Sequence, residues 1–107
     1  MITYEHYSVS TIANEFACRT DASEILPALI KKGYTVYGVD QKVNQLVPYH
    51  THPSQEVVIV LQGTVRYTVE EEIVDVSEGE IIRIMPSSVH ASVSVGGDDA
   101  KLLLTFI

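Results

Sequence analysis

The segment from residue 49 to residue 63 contains the side chains of this sequence that are best suited to chemistry. His50 and His52 stand two residues apart, and Glu56 follows four residues after His52. On an extended strand, residues two apart point to the same face, so the two imidazoles can lie side by side. Two neutral nitrogens and one carboxylate oxygen suit a divalent transition metal, whereas calcium and magnesium prefer oxygen ligands.

A pair of histidines at this spacing is weak support for a metal site, because most such pairs lie on a polar surface. The surrounding residues strengthen the interpretation. Glu56 keeps the same parity as the two histidines, and the apolar run 57–61 that follows predicts a strand buried on both faces. Gly63 then predicts a tight turn at the end of that strand.

Together with a second segment, these residues resemble the two sequence motifs of the cupin family. The first motif has the form H-x-H, three residues, E, six residues, G, and it is matched by His50, His52, Glu56 and Gly63. The second motif has a glycine, a proline and a histidine, and it is matched by Gly79, Pro86 and His90. Fifteen residues separate the two motifs, which is a spacing typical of small microbial cupins.

The sequence departs from the cupin pattern at three positions. Asn44 stands where the first motif usually opens with glycine, Ser87 replaces the glycine that often follows the proline, and Ser94 replaces an asparagine. Asparagine tolerates a left-handed backbone better than most residues, so we expect the turn at Asn44 to survive. None of the three positions is a metal ligand in the family.

The resemblance implies an all-β fold, a small antiparallel β-barrel or double-sheet jelly roll with the metal inside. It also implies that one divalent transition metal ion, Fe, Mn, Ni or Zn, is bound by His50, His52, Glu56 and His90. Four protein ligands leave about two open positions on a six-coordinate ion, where water, dioxygen or a substrate can bind. In some relatives the carboxylate that Glu56 matches also accepts a proton, which makes Glu56 a catalytic candidate.

Two functions are compatible with such a site. The first is a metal-dependent enzyme of the oxygenase, isomerase or lyase type acting on a small molecule, with Tyr37, Tyr67 and Met85 as candidates for the substrate pocket. The alternative is a non-catalytic module that binds or senses a small molecule and works with a separate partner chain. Strand parity places Arg66 opposite Tyr67 and Tyr49 opposite His50, so neither Arg66 nor Tyr49 is expected to face the pocket.

The rest of the chain predicts many short strands and a single helix. A first strand is expected over residues 2–9, and a helix over residues 23–33 that is capped by Ser23, has Pro27 in its first turn and ends at Gly33. From residue 34 onward, alternation with a period of two predicts about eight more strands separated by polar turns. This pattern predicts an antiparallel sandwich or small barrel in one domain over residues 1–107.

The composition limits the kinds of binding partner and the cellular compartment that are expected. The net charge is −7, from 14 acidic and 7 basic residues, which disfavours binding to nucleic acid or to an anionic membrane surface. The single cysteine, Cys18, excludes an internal disulfide and is expected to be a small buried residue. The first residues carry no signal-peptide pattern, so the cytoplasm is the expected compartment. The resemblance to cupins implies a homodimer, which is physically reasonable because the sheet edges and the apolar outer strands need cover.

Overall fold

Nine strands and one helix form from the part of the chain that the structure describes. This computed structural model describes residues 2–8 and 22–107, and the interpretation of Cys18 falls outside these residues. The helix is α1 (Ala22–Lys31). The strands are β1 (Tyr4–Ser8), β2 (Val36–Gln41), β3 (Leu46–His50), β4 (Glu56–Gln62), β5 (Thr64–Val69), β6 (Glu72–Ser77), β7 (Glu80–Ile84), β8 (His90–Val95) and β9 (Ala100–Phe106).

The strands form two antiparallel sheets. One sheet has five strands in the order β1-β7-β4-β9-β2, and the other has four in the order β3-β8-β5-β6. Strands that follow one another in the chain often lie in different sheets, so the connections cross repeatedly between the two layers. This arrangement confirms the predicted all-β fold, a double-sheet jelly roll with one short helix near the N-terminus.

The main core lies between the two sheets. Every second residue of the strands in both layers points into it, among them Val58 and Val60 of β4 and Val65 and Val69 of β5. A second core lies on the outer face of the five-stranded sheet, where Ile25 of α1 covers the other face of β4. Strand β4 is therefore buried on both faces, as the apolar run in the sequence predicts.

The helix α1 begins one residue earlier than predicted and ends as predicted. Because it starts at Ala22, Ser23 lies inside the helix instead of preceding it, and Pro27 falls beyond the first turn. At the other end, Gly33 has a φ of +92°, and the N–H of Tyr34 donates to the carbonyl of Leu29 at 3.2 Å. The N–H of Gly33 also donates to the carbonyl of Ile30, which completes a Schellman motif.

Two positions where the cupin pattern usually has glycine adopt a left-handed backbone with another residue. Asn44 has a φ of +61° and Ser87 has a φ of +64°. The turn at Asn44 is thus retained, as its tolerance for this region predicts. The N–H of Ser87 donates to the carbonyl of His52 at 2.8 Å, so this loop ties the second motif directly to the first.

No helix among the described residues is both long and apolar enough to span a membrane.

The two motif glycines should differ in how well they tolerate a side chain. Both have a positive φ, +84° at Gly63 and +81° at Gly79. A Cβ at Gly63 would approach the carbonyl oxygen of Asp99 to 2.9 Å, whereas one at Gly79 would meet nothing within 4 Å. We expect Gly79→Ala to lower the free energy of unfolding by about 1–2 kcal/mol, which is the cost of the left-handed backbone.

Gly63→Ala should cost about 1–3 kcal/mol more than Gly79→Ala, because the backbone of residue 99 must also move. Urea denaturation followed by circular dichroism measures both values. Equal destabilisation of the two variants would show that the close approach at Gly63 is relieved without cost.

Candidate metal centre

A β-bulge in β3 brings His50 to the inside of the barrel. Val47 pairs with Ser92 and His50 pairs with His90, so three residues on β3 span the same length as two on β8. After the extra residue, the even-numbered side chains of β3 point inward instead of the odd-numbered ones. As a result, both Val47 and His50 line the cavity. Tyr49 faces outward with 61% of its surface exposed, in agreement with its predicted position opposite His50.

The structure brings the four predicted ligands together. His50 ends β3, His52 lies in the following loop, and Glu56 and His90 are the first residues of β4 and β8. One ligand atom from each residue lies within 4.8 Å of the others. Glu56 and His90 are buried, while His50 and His52 are partly exposed. Three imidazoles and one carboxylate in such a cluster can hold a divalent transition metal.

Backbone carbonyls fix the orientation of two of the imidazoles. The Nδ1 atom of His50 lies 2.7 Å from the carbonyl oxygen of Pro48, and Nδ1 of His90 lies 2.8 Å from that of Ser88. Because a carbonyl can only accept a hydrogen bond, each Nδ1 must carry a proton. The lone pair of the neutral ring is then on Nε2, which is the state required of a metal ligand.

The contact between Glu56 and His90 tests whether a metal fits the site. Oε2 of Glu56 and Nε2 of His90 lie 2.7 Å apart, yet both are buried atoms without a hydrogen-bond partner among the described residues. With Nδ1 protonated, a neutral His90 directs a lone pair at a carboxylate. Such a pair is stable only if a proton or a cation lies between the two atoms. Adjacent ligands of one ion are separated by about 3 Å, so the observed spacing fits metal binding.

The electrostatic environment differs between His52 and His90. Burial lowers the pKa of His52, and the nearby His50 and His90 lower it further, whereas the Glu56 carboxylate opposes this change. A lowered pKa favours the neutral imidazole that coordinates metal. For His90, burial also acts to lower the pKa, but the contacts with Glu56 and the Ser88 carbonyl outweigh burial and raise it. The opposite directions of the pKa shifts of His52 and His90 reflect the 2.7 Å contact that His90 makes with Glu56.

The four ligands line part of a cavity of about 240 Å³. The wall is mostly apolar, and Tyr67, which was predicted as a pocket residue, is part of it. Burial, and to a lesser extent the Glu56 carboxylate, raise the pKa of Tyr67, so its hydroxyl stays protonated and can donate. The lining residues other than the four ligands are Val39, Gln41, Val47, Val58, Tyr67, Ser92, Leu102, Leu104 and Phe106.

Tyr37 and Met85, the other two predicted pocket residues, do not line this cavity. Tyr37 lies on the edge strand β2 and has 52% of its surface exposed. Met85 follows the last residue of β7, and its sulfur accepts a weak hydrogen bond from Nε2 of Gln55 at 3.9 Å. Arg66 faces outward, opposite Tyr67 as predicted, and forms a bidentate ion pair with Asp75.

Of the nine lining residues other than the ligands, only Tyr67 was predicted by name, and three of the other eight bear on the chemistry of the cavity. Phe106 packs its ring edge against His52, with the ring centroids 4.9 Å apart, and it pairs with Glu56 across β4 and β9. Ser92 follows His90 by two residues on β8, so strand parity alone could have identified it. Gln41 has the same strand parity as Tyr37, which was predicted to line the pocket, but its contact with Ser92 depends on β2 facing β8 across the barrel.

Fold and site together define a small jelly-roll protein with a cluster of three histidines and one glutamate that can hold a metal. The family described as Cupin domain matches residues 39–106, which is more than half of the sequence. The chain therefore belongs to the cupin family. Among curated proteins, no sequence matches the chain.

Solved structures support the same fold. A conserved protein of unknown function from Streptococcus pyogenes has a TM-score of 0.64 and 22% identity, covering 69% of this chain and 63% of that one. An RmlC-like cupin from Shewanella frigidimarina has a TM-score of 0.62 and 19% identity, covering 68% and 64%. The polyketide cyclase RemF from Streptomyces resistomycificus has a TM-score of 0.62 and 21% identity, covering 68% and 53%. The chain spans less than two thirds of each of these three proteins.

Removing one imidazole should separate metal binding from folding. We expect His50→Ala and His52→Ala to retain roughly a tenth or less of the metal bound by the unchanged protein, because each variant loses a ligand. Both positions are partly exposed, so the barrel should remain folded. Plasma mass spectrometry measures metal per chain, and circular dichroism checks the fold.

His6→Ala is the matched control for these variants. His6 is exposed on β1, and its Nε2 contacts Glu80 at 3.1 Å, away from the cluster. The metal content of the His6→Ala variant should equal that of the unchanged protein. Full metal occupancy in His50→Ala or His52→Ala would show that the ligand set is wrong.

Proposed function

We propose that this chain is a metal-dependent enzyme that acts on a small molecule through its three histidines and Glu56. The observation that carries the proposal is that the four ligand atoms converge on the wall of a cavity instead of being enclosed by protein on all sides. A structural metal site is closed, whereas a catalytic site keeps a position open for water or substrate. The cavity supplies that open side.

His50, His52, Glu56 and His90 would hold the metal ion. A divalent transition metal bound there supplies Lewis-acid polarisation of a substrate oxygen and, if it is redox-active, a site for dioxygen. The oxygenase, isomerase and lyase classes all remain consistent with this ligand set. The carbonyls of Pro48 and Ser88 keep His50 and His90 in the coordinating tautomer. The buried Glu56 carboxylate is the proposed proton acceptor.

The size and lining of the cavity indicate the kind of substrate. A volume of about 240 Å³ lies below the range of about 300–1,000 Å³ that is usual for sites of drug-sized ligands. The wall beyond the ligands is formed mostly by valine and leucine. We therefore propose a small, partly apolar substrate. The similarity in fold to a polyketide cyclase supports the proposal that a barrel of this kind can carry an enzymatic site.

The test first measures the metal content of the protein and then the turnover of candidate substrates. Protein without a tag should contain about one transition metal ion per chain by plasma mass spectrometry. If the metal is iron, dioxygen uptake is measured with small diols and diketones. If it is manganese, nickel or zinc, isomerase and lyase substrates are tested first. Each active substrate is repeated with His52→Ala and with His6→Ala as the matched control.

Turnover that His52→Ala abolishes and His6→Ala preserves would support the enzyme. A protein that contains no metal, and that regains none when incubated with each ion, would contradict it. That result would favour the alternative of a ligand-binding module without catalysis.

We also propose that the protein is a homodimer. The edge strand β3 presents Leu46 and Tyr49 on its outer face, with 64% and 61% of their surfaces exposed. Large apolar side chains on an edge strand favour association with a second chain. Light scattering coupled to gel filtration should give the mass of two chains, and Leu46→Glu should shift it to one. A single-chain mass for the unchanged protein at high concentration would contradict the dimer.

A further inference from the structure

Two buried polar side chains interrupt the apolar wall of the cavity. Gln41 of β2 and Ser92 of β8 have only 3% and 7% of their surfaces exposed, and both line the cavity. They come from different sheets and meet through a hydrogen bond from Nε2 of Gln41 to Oγ of Ser92 at 3.4 Å. Burying polar groups in an apolar wall is unfavourable unless their hydrogen bonds are satisfied.

The hydrogen bonds of Gln41 determine which of its atoms remain available. Its Nε2 also donates to the carbonyl oxygen of Gln45 at 3.1 Å. Because a carbonyl oxygen can only accept, the amide cannot be flipped, and both of its N–H groups are used. Its Oε1 forms no hydrogen bond within the described residues and is therefore a free acceptor.

Ser92 supplies the complementary group. Its oxygen accepts from Gln41, so its own proton is free to donate, and no acceptor for it is found in the described part of the chain. The pair therefore offers one acceptor and one donor next to each other. A hydroxyl group, which can donate to Gln41 and accept from Ser92 at the same time, satisfies both.

The pair lies at a defined distance from the metal centre. Ser92 follows His90 by two residues on the same face of β8, so their Cα atoms are separated by about 7 Å. Val47 pairs with Ser92 across β3 and β8, and Val58 also lines the cavity. A molecule in the cavity thus contacts apolar side chains and two polar regions, which are the metal ligands and the Gln41–Ser92 pair.

We propose that Gln41 and Ser92 form a hydroxyl-recognising subsite for the molecule held at the metal centre. The inference rests on the proposed function and makes its substrate specific. The substrate is a short aliphatic compound with a metal-binding oxygen group at one end and a hydroxyl about three or four carbons away. Gln41 and Ser92 are specificity residues, while the metal ligands carry the chemistry.

Gln41 also has a structural role that the test must separate from recognition. Its bond to the Gln45 carbonyl ties the turn between β2 and β3. That bond accounts for one N–H of Gln41, but it does not account for the free Oε1 or for the Ser92 hydroxyl. Ser92→Ala removes the donor while leaving the turn contact in place, so it is the more selective variant.

The test uses hydroxamic acids, which chelate transition metals, on metal-loaded protein. Two probes are compared by isothermal titration calorimetry: 4-hydroxybutanohydroxamic acid and pentanohydroxamic acid, which has a methyl group where the first has the hydroxyl. Since a site that hydrogen-bonds a hydroxyl rejects the analogue that lacks it, the hydroxyl probe should bind at least about tenfold more tightly. Ser92→Ala and Gln41→Leu should each reduce this preference to about twofold or less.

Ser94→Ala is the matched control. Ser94 is a fully buried serine on the same strand, but its hydroxyl donates to the Asp98 carbonyl and it does not line the cavity. It should keep the tenfold preference. Metal per chain is measured for every variant, so that a change in probe binding is not confused with a loss of metal.

The outcomes distinguish the two proposals. If the unchanged protein binds both probes with equal affinity, the subsite proposal is wrong, since Gln41 and Ser92 would then only hold water. The proposed metal centre would not be affected by that result. A hydroxyl preference that survives both substitutions would overturn it as well. Absence of metal from all proteins, including the unchanged one, would overturn the proposed function and the subsite with it.

Discussion

Oε2 of Glu56 and Nε2 of His90 face each other at 2.7 Å inside the barrel, where water cannot separate them. A carboxylate and the lone pair of a neutral imidazole repel each other at that distance, so a positive charge is needed between them. A proton on His90 can meet this need in the absence of metal, and the raised pKa of His90 has that cause. A divalent cation meets it more completely, because His50 and His52 approach the same point.

The two cores make this arrangement rigid enough to persist. Glu56 is the first residue of β4, whose next four residues are buried by the main core on one face and by α1 on the other. β4 also has hydrogen-bonded neighbours on both sides, β7 and β9. The backbone that carries the carboxylate is therefore held in a strand whose first five residues are all buried. Tight packing thus fixes the spacing of charges that the site depends on.

The predictions from sequence succeeded where local chemistry decides the outcome. Alternating parity placed Tyr67 inside and Arg66 outside, and the apolar run after Glu56 correctly predicted a strand buried on both faces. The left-handed turn at Asn44 followed from the tolerance of asparagine for that conformation. The cupin motifs indicated the jelly roll, because their glycines and histidines have fixed positions on its strands.

The sequence was less informative where distant strands decide the outcome. Pro48 is compatible with an edge strand or a bulge, but it does not by itself predict the bulge that turns Val47 and His50 to the same side. Tyr37 has the parity of the lining residues Val39 and Gln41, but it lies on an edge strand and keeps 52% of its surface exposed. Its exposure depends on the order of strands in the sheet, which residues 34–41 alone do not encode.

Strand geometry also links the metal ligands to the rest of the cavity. Because every second residue of β8 faces inward, the strand that supplies His90 must place Ser92 on the cavity wall. Across the barrel, β2 places Gln41 against it, and that strand carries no metal ligand. Changes in β2 can therefore alter which molecules the cavity accepts without disturbing the ligands. Under the proposed function, Gln41 would help to select the bound molecule from a strand without a metal ligand, whereas Ser92 would do so from the strand that carries His90.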